Sequence, residues 1–204
     1  MAKLKIYGDC RSGNCLKVRW TADHLGVDYE WIDVDLMNGS TRTDEYLALN
    51  PIGQVPCLLL PDGRALAQSN AIVAYLASLT DCALLPTDAY ERAKVDEWLF
   101  WEQNSHEPCV AERRFLKVRL GKSDDEIDPQ LFARGRRALG HMELQLAATH
   151  FLAGERMTVA DIVVAPYTRV APEGGFDLGE FPNIRAWIAR VERELSLPPV
   201  TEAA

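Results

Sequence analysis

Polar and apolar positions alternate with a period of two over Lys3–Tyr7, which predicts a strand running into a loop of small residues from Gly8 to Asn14. The period then changes. From Cys15 to Leu25 apolar residues recur at helical spacing (Leu16, Trp20, Leu25), and Gly26 supplies a stop. Tyr29–Val34 reads as a second strand, and Thr43–Leu49 as a short helix halted by Asn50-Pro51, because the residue before a proline is pushed out of the helical region. Cys57–Leu60, the turn Pro61-Asp62-Gly63-Arg64 and Ala65-Leu66 form a hairpin. Ser69 opens a helix whose apolar stripe is Ile72, Tyr75, Leu76 and Leu79. The order strand, helix, strand, helix, strand, strand, helix predicts a small mixed sheet closed within the first 79 residues.

Beyond Thr80 the alternation stops. A connector rich in turn formers covers 80–88, and long helical patterns follow at 89–120 and 129–149. Asp128-Pro129 supplies a cap and a proline at the first helical position. Further helices start at Thr158 and cover Ile184–Leu195, after Pro182. The reading is an α/β domain at 1–79, a linker at 80–88 and an all-α domain at 89–204.

Composition narrows the function classes. Hydrophobic residues make up 48% of the 204 and charged residues 25%, so a core forms and disorder is excluded. The 22 basic against 30 acidic residues give a net charge of −8, which disfavours a surface that tracks phosphates, so no nucleic acid partner is expected. The arginines at 113–114, 134 and 136–137 read as solvated helix faces. No run of about 18 apolar residues is present, and the N-terminus lacks the apolar stretch of a signal peptide, so neither a membrane span nor export is expected. Five irregularly spaced cysteines (Cys10, Cys15, Cys57, Cys82, Cys109) read as free thiols in a reducing compartment, with the cytoplasm as the expected location. The four histidines lack paired ligand spacing, so no metal is expected.

Three short segments carry chemistry. In Asn50-Pro51-Ile52-Gly53-Gln54-Val55-Pro56 a proline enters a strand, and a cis Val55–Pro56 bond would turn the backbone of Val55 outward to pair with an extended peptide. At Gln68-Ser69 a hydroxyl stands at a helix start, where free N–H groups and the helix dipole favour a carboxylate. In the loop Gly8 to Cys15, Ser12 either caps the first helix or presents its hydroxyl above the end of the sheet.

Taken together and in this order, Asn50-Pro51-x-Gly53-x-Val55-Pro56, Gln68-Ser69-x-Ala71-Ile72-x-x-Tyr75-Leu76 and the Ser12 loop resemble the glutathione transferase family, over essentially the whole chain. The resemblance implies a thioredoxin-like N-terminal domain that binds glutathione as co-substrate, an all-helical C-terminal domain that supplies a pocket for a small hydrophobic electrophile, and a homodimer. By position, Gln54 and the backbone of Val55 beside Pro56 would hold the cysteinyl and glycyl part of the tripeptide, and Gln68 and Ser69 its γ-glutamyl end. Ser12 matches the catalytic serine of the theta, delta and zeta-like classes, which donates to the glutathione sulfur.

Three alternatives accompany this reading. A zeta-like cis–trans isomerase is compatible with Arg11-Ser12 and Gln68-Ser69, although Gly13-Asn14-Cys15 departs from the Ser-Ser-Cys pattern of that class. A non-catalytic glutathione-binding scaffold would keep the fold without the turnover. A thiol transferase would use Cys10, although the spacing from Cys10 to Cys15 is not that of a C-x-x-C disulfide oxidoreductase. His106, Cys109 and Arg113 share one helix face and, with Cys10, are the candidates for lining the electrophile pocket. Thr158-Val159-Ala160-Asp161 fits a capping box with a structural role.

Overall fold

A computed structural model of the chain describes residues 3–80 and 83–199. Asp81, Cys82 and the tail from Val200 onward lie outside the described residues. The chain divides into two compact units, Met1–Leu85 and Pro86–Ala204.

In the first unit, β1 (Leu4–Gly8), α1 (Gly13–His24), β2 (Tyr29–Asp33), α2 (Asp44–Leu49), β3 (Cys57–Leu59), β4 (Ala65–Ala67) and α3 (Ser69–Ser78) follow in order. The sheet order is β2-β1-β3-β4. β1 and β2 run parallel across the α1 crossover, as a strand–helix–strand unit requires; β3 runs antiparallel to β1, and the tight turn after β3 makes the β3–β4 pair antiparallel. α1 and α3 pack against one another and bury Val18, Ala22, Ile72, Val73 and Leu76 along with Ile6 and Leu58 of the sheet. A separate cluster of Val34, Tyr46 and Cys57, flanked by Tyr7, Leu49 and Val55, anchors α2. Thr43 caps α2 by accepting the Tyr46 N–H.

Among its described residues the second unit is built from helices, with one isolated β-bridge between Phe151 and Gly154. α4 (Ala89–Trp101) is capped by Asp88. The long helix predicted at 89–120 is not uniformly α-helical: it widens into a π-helix over Glu102–Ala111, returns to one α turn (α5, Glu112–Arg114) and widens again over Phe115–Arg119. Pro108 lies inside the first wide stretch, and its missing N–H removes one α-type bond there. α6 (Pro129–Leu146), α7 (Val159–Arg169) and α8 (Pro182–Glu194) complete the unit. α7 is buried from Val159 to Thr168, in contact with α4, the first π stretch and α8.

Asp161 fixes α7 from inside. Its Oδ1 accepts the Leu152 N–H at 2.9 Å and the Trp187 Nε1–H at 2.8 Å, and its Oδ2 accepts the Thr158 N–H at 2.9 Å, closing the capping box. Burial pushes its carboxyl pKa up, while these donors pull the other way. Among the described residues no helix is long and apolar enough to cross a membrane, and no cluster of His, Cys, Asp and Glu is placed to hold a metal.

Candidate functional site

Sheet register brings the three sequence segments to one end of the first unit. Tyr7 of β1 pairs with Cys57 of β3, and Cys57 pairs with Ala67 of β4. The chain therefore leaves one row of the sheet in three places: after β1 into the Ser12 loop, before β3 at Val55-Pro56, and after β4 at Gln68-Ser69.

The Val55–Pro56 bond is cis. The turn before it is built tightly: Gly53 donates to the Asn50 carbonyl at 2.8 Å, and the Gln54 carbonyl accepts both Asn50 Nδ2 and the Tyr46 hydroxyl at 2.7 Å each. Gly53 has φ +66, and a side chain there would come within 2.5 Å of Arg42 Nη1, so only glycine fits. Beyond this turn, the Gln54 side chain is exposed and the backbone N–H and carbonyl of Val55 have no hydrogen-bond partner among the described residues. An extended peptide finds an unpaired main-chain unit there.

At the start of α3, Gln68 is exposed and adopts φ 71, a left-handed conformation that costs a non-glycine residue about 1–3 kcal/mol and is typically kept where a site requires it. Ser69 is buried, and its Oγ lies 3.2 Å from Asn14 Oδ1, which ties the first turn of α3 to the first turn of α1. Lys17, also buried, donates to Asn70 Oδ1 at 3.3 Å. Two helix N-termini thus lie side by side, and both favour negative charge.

Ser12 is the N-cap of α1 by position, yet its side chain makes no capping bond; its main-chain carbonyl accepts from Cys15 and Leu16 instead. The Cys15 thiol accepts the Asp9 N–H at 3.4 Å. Burial pushes that thiol up to about 11, so Cys15 stays protonated at neutral pH and is no nucleophile. Cys10 is a free, exposed thiol on the same loop.

Sequence reasoning passed over the residues that hold this loop. The Asp9 carboxylate is buried and accepts from Arg11 N (2.9 Å), Arg11 Nε (2.8 Å) and Arg11 Nη2 (2.7 Å). Arg11 Nη2 also reaches Asp35 at 2.9 Å, and the Asp9 carbonyl accepts the Ser12 N–H at 2.9 Å. An Asp two residues before an Arg, in a loop of small residues, is the one local signal for such a clamp. These Arg11 bonds hold the Asp9 carboxyl below the usual carboxylate range. A depressed carboxylate contributes stability above its unfolded pKa of about 3.9, and that contribution fades as pH falls through the folded value. Asp9→Asn is therefore expected to lower stability to urea at pH 7, with the gap to the parent narrowing below about pH 4; a gap that is constant with pH would rule the ionic clamp out.

The expected electrophile-pocket residues of the second unit are placed otherwise. His106 and Cys109 are fully buried in the first π stretch, with His106 Nε2 3.0 Å from the Thr168 hydroxyl. Arg113 is buried too, donating to the Gly174 carbonyl at 2.7 Å and pairing with Asp124. Their shared face is buried, His106 against Thr168 and Arg113 against Gly174. Arg114 and Arg136, read as solvated, pair with Glu173 and Glu180.

A model of the family described as "Glutathione S-transferase, N-terminal domain" matches residues 11–79, and one described as "Glutathione S-transferase, C-terminal domain" matches 112–194. Glutathione S-transferase 3 of Zea mays is 34% identical over 199 residues, covering 92% of this chain and 88% of the relative. A crystal structure of a glutathione S-transferase from Pseudomonas fluorescens Pf-5 superposes with a TM-score of 0.92 at 43% identity, covering 98% of this chain and 100% of that one. One of a possible glutathione S-transferase from Rhodopseudomonas palustris gives 0.91 at 36% identity over the full length of both.

Proposed function

We propose that this chain, which belongs to the glutathione S-transferase family, binds glutathione at the end of its sheet and uses Ser12 to keep the bound sulfur as a thiolate. The thiolate then attacks a small electrophilic carbon, or reduces a peroxide. The observation that carries this reading is the common row of Tyr7, Cys57 and Ala67, from which the Ser12 loop, Val55-Pro56 and Gln68-Ser69 all depart.

Each part has a role set by its chemistry. The unpaired backbone of Val55 takes the cysteinyl main chain as an added strand, with Gln54 beside it. Gln68, Ser69 and the N-terminus of α3 take the γ-glutamyl carboxylate and amine. A free thiol titrates near 8.5, so only a few per cent is ionised at neutral pH. A hydroxyl donor and the N-terminus of α1 both favour the anion, and the thiol proton passes to water.

The test is conjugation of glutathione to a reactive aryl halide. Product formation that saturates with glutathione is the expected result. Retention on immobilised glutathione with no turnover toward aryl halides, alkyl halides or peroxides would instead identify a binding module.

A further inference from the structure

β1 and β2 end side by side, with Gly8 opposite Asp33 and the Gly8 carbonyl accepting the Val34 N–H at 3.0 Å. The chain leaves these two strands as separate loops, and charge joins the loops again.

The loop after β1 is a tight turn. The Asp9 carbonyl accepts the Ser12 N–H at 2.9 Å, which leaves Cys10 and Arg11 at the two central positions. Asp9 Oδ1 takes the Arg11 N–H at 2.9 Å, the bond that favours an acid at the head of such a turn. The Arg11 guanidinium then folds back on the same carboxylate, Nε to Oδ1 at 2.8 Å and Nη2 to Oδ2 at 2.7 Å. The Asp9 side chain is only 5% exposed, so water weakens these bonds little, although Arg11 itself is exposed.

Two further bonds brace the turn on the loop after β2. Arg11 Nη2 reaches Asp35 Oδ1 at 2.9 Å, and the Leu36 N–H reaches Asp9 Oδ2 at 3.5 Å. The same Asp35 oxygen accepts the Met37 N–H at 2.8 Å. Arg11 holds the Asp9 carboxyl below the usual carboxylate range, and the Met37 N–H with Arg11 does the same for Asp35. The network therefore stays charged at neutral and alkaline pH.

Ser12 depends on this scaffold because its own side chain caps nothing. Its hydroxyl stands where the main chain puts it. Asp9 holds that main chain at three places: Cys15 through its N–H, Ser12 through its carbonyl and Arg11 through its carboxylate.

We propose that Asp9 and Arg11 are positioning residues of the glutathione reaction: their ion pair, braced on Asp35, holds the turn that presents the Ser12 hydroxyl to the sulfur. The inference rests on the reaction proposed above and acts only through Ser12. A misplacement of about 1 Å can cost 100-fold in rate, so a loosened turn is felt in turnover. The charge of Asp9 alone works the other way. Burial raises the Cys15 thiol most, but the Asp9 charge adds to it, and a glutathione thiolate nearby is repelled in the same sense.

The test is steady-state conjugation of glutathione to an aryl halide over pH 6–10. The proteins are the parent, Asp9→Asn and Arg11→Lys, each with and without Ser12→Ala, and circular dichroism and melting curves check that each is folded. Asp9→Asn is expected to lower kcat about 5- to 10-fold, to leave KM for glutathione within about twofold and to move the acidic limb of the rate profile to higher pH. Arg11→Lys keeps the charge, loses the fork and follows the same course; it alters an exposed side chain, so it carries the test should Asp9→Asn fail to fold. In the Ser12→Ala background either substitution should change kcat by less than about twofold, because the group being positioned is gone. Losses of equal size in both backgrounds overturn the proposal, as do parent-like kcat in the single variants or an acidic limb that moves to lower pH. Those results leave the parent active and Ser12→Ala slow. An inactive parent, or parent-like turnover in Ser12→Ala, overturns the proposed function itself and this inference with it.

Discussion

Ser12→Ala is expected to reduce kcat for glutathione conjugation by about 10- to 100-fold at neutral pH, because a hydrogen bond to an anion is worth about 1.5–3 kcal/mol and each 1.36 kcal/mol is tenfold in rate. KM for glutathione should change little, since Gln54, the Val55 backbone, Gln68 and Ser69 remain. The pH profile supplies the sign: without the donor the bound thiol titrates higher, so the acidic limb of the rate profile moves to higher pH and the variant regains activity in alkali. Parent-like turnover in Ser12→Ala would remove the serine from the chemistry. Steady-state kinetics over pH 6–10 measures both effects.

The largest expected stability effect lies in the other unit. Asp161→Ala should cost about 3–5 kcal/mol, because it strands three buried donors, the N–H groups of Leu152 and Thr158 and the Trp187 indole. In a chain of this size that corresponds to a fall in melting temperature of roughly 10 °C. Asp161→Asn keeps one acceptor oxygen and should fall between the two. Urea denaturation of the three proteins, followed by tryptophan fluorescence, gives the ranking; a loss below about 1 kcal/mol for the alanine variant would show that the carboxylate is not the tie described.

Much of the architecture is legible in the chain. Alternation at Lys3–Tyr7, helical spacing after Cys15 and the turn at Asp62-Gly63 locate β1, α1 and the β3–β4 hairpin to within a residue or two, because these signals are local. The capping box at Thr158 is likewise readable, since both partners are three residues apart. The two π stretches are not, because the apolar spacing of a helix scarcely changes when its bonds shift by one residue. The same limit explains His106, Cys109 and Arg113: helical spacing puts them on one face but does not say which neighbour covers it, and α7 and the segment at Gly174 do. Asp9 shows a mixed case: Arg11 lies only two residues away, but the contacts with Asp35 and Leu36 become visible only once the loop after β1 meets the one after β2. At Arg134 and Arg137 the solvated helix face read from the chain is what the structure has, both side chains being exposed.

The three ties made by Asp161 also order events during synthesis. A ribosome releases the chain from its N-terminus, so the sheet and its three helices can close while the rest is still being made. The carboxylate at 161, by contrast, must wait for an indole 26 positions downstream. Until α8 has emerged, the innermost helix of the second unit carries a buried acid with one partner missing, and stop codons placed before Trp187 should yield nascent chains whose first unit resists protease while the second is digested.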